Sequence, residues 1–118
     1  MNIKNKKIYN LVKKILIKHK LSSHHAEISA RALLNAEIVG AYGHGLSRLK
    51  MYCDRIRKNV INPKPKIKIK KISQSISHID ADNGIGFVAA DIAIKKAIQN
   101  AKKTGVGLVA VKNSGHYG

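Results

Sequence analysis

The apolar period of this chain changes once, across Asn59 to Pro65, and that change restricts its architecture more than any other feature. Before it the apolar residues recur at helical spacing; after it they alternate or run together as strands do. The chain's two prolines, Pro63 and Pro65, lie within that segment and disfavour helix there. We therefore expect a helical subdomain over residues 1–60 and a separate α/β region over residues 61–118.

In the first part, Ile8, Leu11, Val12, Ile15 and Leu16 mark one helix. Leu21-Ser22-Ser23 supplies the N-cap of a second, which turns Ala26, Ala30, Leu33 and Leu34 to one face and stops at Gly40. The turn Gly43-His44-Gly45 is expected to open a third helix running to about Arg57, with Leu49, Tyr52, Cys53 and Ile56 inward. In the second part, Ile67, Ile69 and Ile72 alternate with lysines, as a strand with one wet face requires, and Ile76 to Asp80 forms the next strand. A helix follows from about Phe87 to Lys103, with Val88, Ile92 and Ala101 on its apolar face and Ala89, Ala93 and Ile98 beside them, and Gly105 caps it. Val106 to Val111 is apolar on both faces, the pattern of an interior strand in a helix-covered sheet. The fold class is thus mixed α/β, three helices followed by the start of a mixed sheet. An interior strand so close to Gly118 predicts that further residues belong after it, and that this chain by itself is inactive.

Charge narrows the partners. The 23 Lys+Arg against 6 Asp+Glu give +17, which makes nucleic acid the first partner to weigh. Nineteen of those bases are lysine, however, and bidentate phosphate or base recognition favours arginine. Aromatic residues, at 4%, are too few for a base-stacking surface. A small basic nucleic-acid-binding protein is therefore kept as the alternative, and a lysine-rich solvated surface as the main reading. The single cysteine, Cys53, fits a reducing, cytoplasmic setting and, lying inside a helix, a structural thiol. No segment reaches the ~18 apolar residues a membrane span needs.

Two histidines carry the chemistry. His44 lies in Tyr42-Gly43-His44-Gly45-Leu46-Ser47-Arg48, and His116 in Asn113-Ser114-Gly115-His116-Tyr117-Gly118. Imidazole exchanges a proton near neutral pH at little cost, and flanking glycines let a ligand approach. If His44 starts a helix, Arg48 is its i+4 neighbour and Tyr52 follows one turn later, so Arg48 can fork onto a carboxylate while the imidazole reaches an adjacent oxygen. The competing assignment makes His44 a helix cap and pairs Arg48 with Glu37 on the surface. His116 lies just past a strand's carboxyl end, where ligands gather in open α/β sheets; it is otherwise a turn residue satisfied by backbone. His24, His25 and His78 are expected at the surface. Gly84-Ile85-Gly86 precedes a helix but lacks the G-x-G-x-x-G fingerprint, so a tight turn is expected there and not a phosphate loop. No metal site is assigned.

Taken in order, Gly43-His44-Gly45-Leu46-Ser47-Arg48-Leu49, the proline segment, Ile79-Asp80-Ala81-Asp82-Asn83-Gly84-Ile85-Gly86 and Gly105 to Gly118 resemble the type-2 malate/L-lactate dehydrogenase family. That family also includes ureidoglycolate and sulfolactate dehydrogenases and the reductases of diketogulonate and cyclic imino acids. The resemblance covers essentially all of the chain and about the first third of a typical member. It implies a non-Rossmann nicotinamide-binding fold, NAD or NADP as cofactor, a small 2-hydroxy or 2-oxo acid as substrate, and a homodimer. It also implies His44 as the acid/base on the substrate oxygen, Arg48 as the carboxylate anchor, and His116 in the same pocket as a second catalytic residue, proton-handling or substrate-binding. Residues that hold the cofactor are not identified. Gly43 departs from the family pattern, which commonly has Ser before the first histidine.

Overall fold

A computed structural model describes residues 1–117. Helices α1 (Ile3–Lys18) and α2 (Ser23–Ile38) pack against each other, each started by a side-chain cap. Asn2 accepts from Asn5 N–H at 2.8 Å and Ser22 from His25 N–H at 3.2 Å, satisfying donors a helix start leaves open. The inward residues of α2 are those expected, Ala26, Ala30, Leu33 and Leu34, joined by Ser29, whose hydroxyl bonds to His25 O. In α1 the buried stripe is narrower than expected: Val12 and Leu16 are covered and Leu11 is exposed.

The third helix, α3, spans Leu49–Arg57 and turns Tyr52, Cys53 and Ile56 inward. It starts later than predicted. Tyr42–His44 and Leu46–Arg48 are two separate 3-10 turns with Gly45 between them, so His44 and Arg48 do not share an α-helical face. The cause lies outside the loop: the Glu37 carboxylate on α2 accepts from Leu46 N–H at 3.0 Å and pins the second turn to α2.

Beyond the prolines, β1 (Lys68–Lys71), β2 (Ile76–Asp80), α4 (Gly86–Thr104) and β3 (Leu108–Lys112) follow in order. The sheet runs β1-β2-β3, antiparallel between β1 and β2 and parallel between β2 and β3. Its central strand is β2, with Ser77 and Ile79 buried. Strand β3 pairs with β2 alone among the described residues and exposes Leu108 and Ala110. One expectation needs correction: all four β1 residues are exposed, with no dry face.

Helix α4 buries Phe87, Val88 and Ala89 at its start and Asn100 near its end, while Ile98 faces outward against expectation. Asn100 turns inward because β2 and the residue before it offer acceptors: its Nδ2 donates to Ser77 Oγ at 3.2 Å and Ser75 O at 3.3 Å. Gly105, at φ 86°, closes the helix in the left-handed conformation that glycine adopts without steric cost. One buried cluster joins the two parts: Val12, Leu16, Leu33, Tyr52 and Ile56 from the helices and Ile61 from the connecting segment meet Ile85, Phe87 and Val88 from beyond the prolines. That shared core brings the two histidine turns, distant in sequence, onto one side of the molecule.

Candidate active site

His44 sits at the end of the first 3-10 turn, exposed, on a loop held at several points. Ser47 Oγ donates to Tyr42 O at 2.7 Å, and Arg48 Nε donates to Gly43 O at 2.5 Å, folding the guanidinium back along the loop. Gly45 is buried between these turns, where a Cβ would stand 2.3 Å from Glu37 Oε2 and 3.3 Å from Leu33 O, so the close approach to α2 requires glycine. Arg48 makes no ion pair with Glu37, whose carboxylate is engaged by Leu46. The guanidinium's two terminal nitrogens have no protein partner among the described residues.

The second histidine turn is clipped to the turn between β2 and α4. Asn83 N–H donates to Asn113 O at 2.8 Å and Gly115 N–H to Gly84 O at 3.0 Å, extending the parallel pairing past the end of β3. Asn113, at φ 53°, makes the bend, and its Nδ2 donates to Asp80 Oδ1 at 3.1 Å. That bond and the one from Asp82 N–H, with the Lys112 ammonium 3.7 Å away, hold the Asp80 carboxyl below its ordinary value. Gly86 supplies the space: a Cβ there would lie 2.4 Å from Gly115 O and 2.7 Å from His116 O. The Gly84-Ile85-Gly86 segment is thus a tight strand-to-helix turn, and its last glycine receives the carbonyls of the histidine loop. Ser114 bonds locally to Gly115 O at 2.9 Å.

The two turns meet. The His44 and His116 rings stack with centroids 6.4 Å apart and planes 16° from parallel, close enough for one small molecule to touch both. Behind them stands Tyr52 of α3, 1% exposed, its ring edge-on to Phe87 at 5.3 Å. Its hydroxyl lies 3.2 Å from His116 Nδ1 and 3.3 Å from His116 O. Burial pushes the phenol above its usual value, while Arg48 and Arg55 pull it the other way. Sequence reasoning placed Tyr52 inward but did not pair it with His116; the available signal was an inward phenol in need of a partner. Glu37, which holds the Leu46–Arg48 turn, figures in the sequence only as a partner for Arg48.

The remaining candidates lie elsewhere. His24 and His78 are exposed, and His25 is half-buried, with burial lowering its ring's value. Cys53 is buried and burial pushes its thiol up, as suits a structural role. Among the described residues no three His, Cys, Asp or Glu gather as metal ligands, and no helix is long and apolar enough to cross a membrane. A cavity of about 690 Å³ lies away from His44 and His116, between the C-terminal ends of α1 and α3, with Lys18, His19, Lys20 and Arg57 at its wall. Two helix C-termini facing one space disfavour an anion there despite those cations.

A family model described as malate/L-lactate dehydrogenase matches residues 3–118. The malate dehydrogenase of Pyrococcus abyssi is 40% identical over 118 residues, all of this chain and 33% of that protein. The ureidoglycolate dehydrogenase (NAD(+)) of Escherichia coli K12 is 30% identical over 118 residues, again all of this chain and 34% of the relative. Among solved structures, the sulfolactate dehydrogenase of Methanocaldococcus jannaschii superposes with a TM-score of 0.94 at 36% identity, over 97% of this chain and 33% of that one. The chain therefore spans about a third of the length of the relatives it matches.

Proposed function

The chain belongs to the malate/L-lactate dehydrogenase family, and on that premise we propose that its histidine pocket serves an NAD- or NADP-dependent oxidoreductase that interconverts a 2-hydroxy acid and a 2-oxo acid. The observation that carries the proposal is the near-parallel placement of the His44 and His116 rings at 6.4 Å, with Arg48 bonded through Nε to Gly43 O, next to His44, and its terminal nitrogens without a protein partner among the described residues. In this reading Arg48 binds the substrate carboxylate through those two nitrogens, a planar fork matched to a planar acceptor. Its Nε bond to Gly43 O fixes the direction of approach. His44 takes the proton from the 2-hydroxyl during oxidation and returns it to the 2-oxo oxygen during reduction. His116 faces the same small space as the second proton-handling group.

The nicotinamide cofactor supplies hydride acceptance and donation when bound. The residues described here do not fit it by themselves. The start of α4, the natural place for a pyrophosphate, is covered by the carbonyls of Gly115 and His116, which present oxygen where an anion would need N–H. No hydride step is therefore derived from this chain, and its share of the work is to bind the acid and move the proton. The lone buried thiol of Cys53 is compatible with a reducing compartment.

Arg48→Lys tests this reading in the protein that carries the chain. Lysine keeps the charge and loses the fork, so kcat/KM for the best 2-hydroxy acid among malate, lactate, sulfolactate and ureidoglycolate should fall by roughly tenfold or more. An unchanged kcat/KM removes Arg48 from the site.

A further inference from the structure

The hydroxyl of Tyr52 touches two atoms of one residue, and a single proton cannot serve both. A phenol donates one hydrogen bond and accepts others. If it donates to His116 Nδ1, then His116 O, at 3.3 Å, faces an oxygen lone pair and the second contact is repulsive. If it donates to His116 O, it is free to accept from an N–H at Nδ1, 3.2 Å away, and both contacts become hydrogen bonds. The contact at Nδ1 is at the long end of the range for N–H···O bonds and the one to His116 O is longer than a typical O–H···O bond, yet the second arrangement makes both attractive where the first makes one attractive and one repulsive. Burial favours the protonated phenol, which supplies the O–H this arrangement needs.

We propose that Tyr52 is the positioning residue that holds neutral His116 in its Nδ1–H tautomer, so that Nε2 is the nitrogen of His116 that gains and loses a proton. The inference rests on the proposed role of His116 as the second proton-handling group. Nδ1 keeps its hydrogen in both the neutral and the protonated ring, so the bond to Tyr52 persists while Nε2 gains and loses a proton. A ring held this way offers Nε2 as the acceptor in the shared pocket, ready to relay a proton that His44 has taken, without first exchanging tautomers. Tyr52 is suited to the task because it is fixed on α3 by its own burial and by its edge contact with Phe87. The ring it orients stays exposed.

The test is the ring nitrogen spectrum of the full chain, labelled with ¹⁵N histidine and recorded above the imidazole titration, with His116→Gln used to assign the signals. The expected result is a pyrrole-type shift at Nδ1 and a pyridine-type shift at Nε2 of His116, the reverse of the form that a free histidine side chain prefers. Tyr52→Phe keeps the buried ring and removes the hydroxyl, and should move the tautomer ratio toward Nε2–H by roughly two- to tenfold. A wild-type His116 found mainly as Nε2–H overturns the proposal, as does a ratio that Tyr52→Phe leaves unchanged. Should Tyr52→Phe fail to fold, the wild-type spectrum alone decides. No turnover is measured, so a wrong tautomer and a failure of the dehydrogenase reading are separate results.

Discussion

Replacing Gly45 by Ala sets the first histidine turn against the helix that holds it. The new Cβ would stand 2.3 Å from Glu37 Oε2, 3.2 Å from Glu37 N and 3.3 Å from Leu33 O. The carboxylate can swing away, but it then gives up the bond from Leu46 N–H at 3.0 Å. For a bond to a charged group that is partly open to water, that loss is about 1–2 kcal/mol. The two backbone contacts cannot relax independently and add about 1 kcal/mol of overpacking. Gly45→Ala should therefore cost ~2–3 kcal/mol, and Glu37→Ala, which forfeits only the bond, ~1–2 kcal/mol. With Glu37 already truncated, Gly45→Ala meets only backbone, so the double variant should lose ~2–3 kcal/mol instead of the sum, a coupling of ~1–2 kcal/mol. Urea midpoints with unchanged slopes across the four proteins measure it. Additivity within ~0.5 kcal/mol would refute the claim that Glu37 pins this turn.

Two further outcomes follow from the second turn. Gly86→Ala drives a methyl into the carbonyls of Gly115 and His116; the loop should leave α4 at a stability cost of no more than ~3 kcal/mol, the sum of the few hydrogen bonds that hold it, while amide signals of residues 113–117 shift strongly, and unshifted signals would show that the loop does not depend on this glycine. The Asp80 carboxyl, held below its ordinary value by Asn113, Asp82 N–H and Lys112, stabilises the fold above the usual carboxylate range near pH ~4, and this contribution is lost as pH falls through its lowered value. Asp80→Asn should therefore flatten the dependence of the urea midpoint on pH below ~4, and an unchanged dependence would remove Asp80 from the account.

The chain discloses its elements more readily than its contacts. The inward face of α2, the glycine that ends it, the order of strands and helix beyond the prolines, and the place of His116 past a strand end all follow from local spacing and turn chemistry, and all are found in the structure. Local pattern failed where a distant residue decides. Leu46–Arg48 forms a 3-10 turn because a carboxylate on α2, nine residues away, takes the Leu46 N–H, and nothing within Gly43 to Arg48 records that bond. Tyr52 and His116 are separated by 64 positions, so their contact exists only through the shared core. Asn100 turns inward and Ile98 outward because Ser77 Oγ of β2 and Ser75 O just before it are acceptors that an apolar count ignores. The apolar run of β3 shows that the strand suits dry surroundings, which is a different statement from what covers it among the described residues.

The most direct measurement of the central claim, that His44 and His116 form one proton-handling pocket for a carboxylate anchored at Arg48, is the kcat/KM of His44→Asn in the protein that carries this chain. It is followed by nicotinamide absorbance on the best 2-hydroxy acid, with the fold checked by circular dichroism. Loss of the acid/base should lower kcat/KM by ~10²–10⁴-fold with the fold intact. A folded variant within about twofold of the parent would contradict the account, because the proton would then be moved by another group.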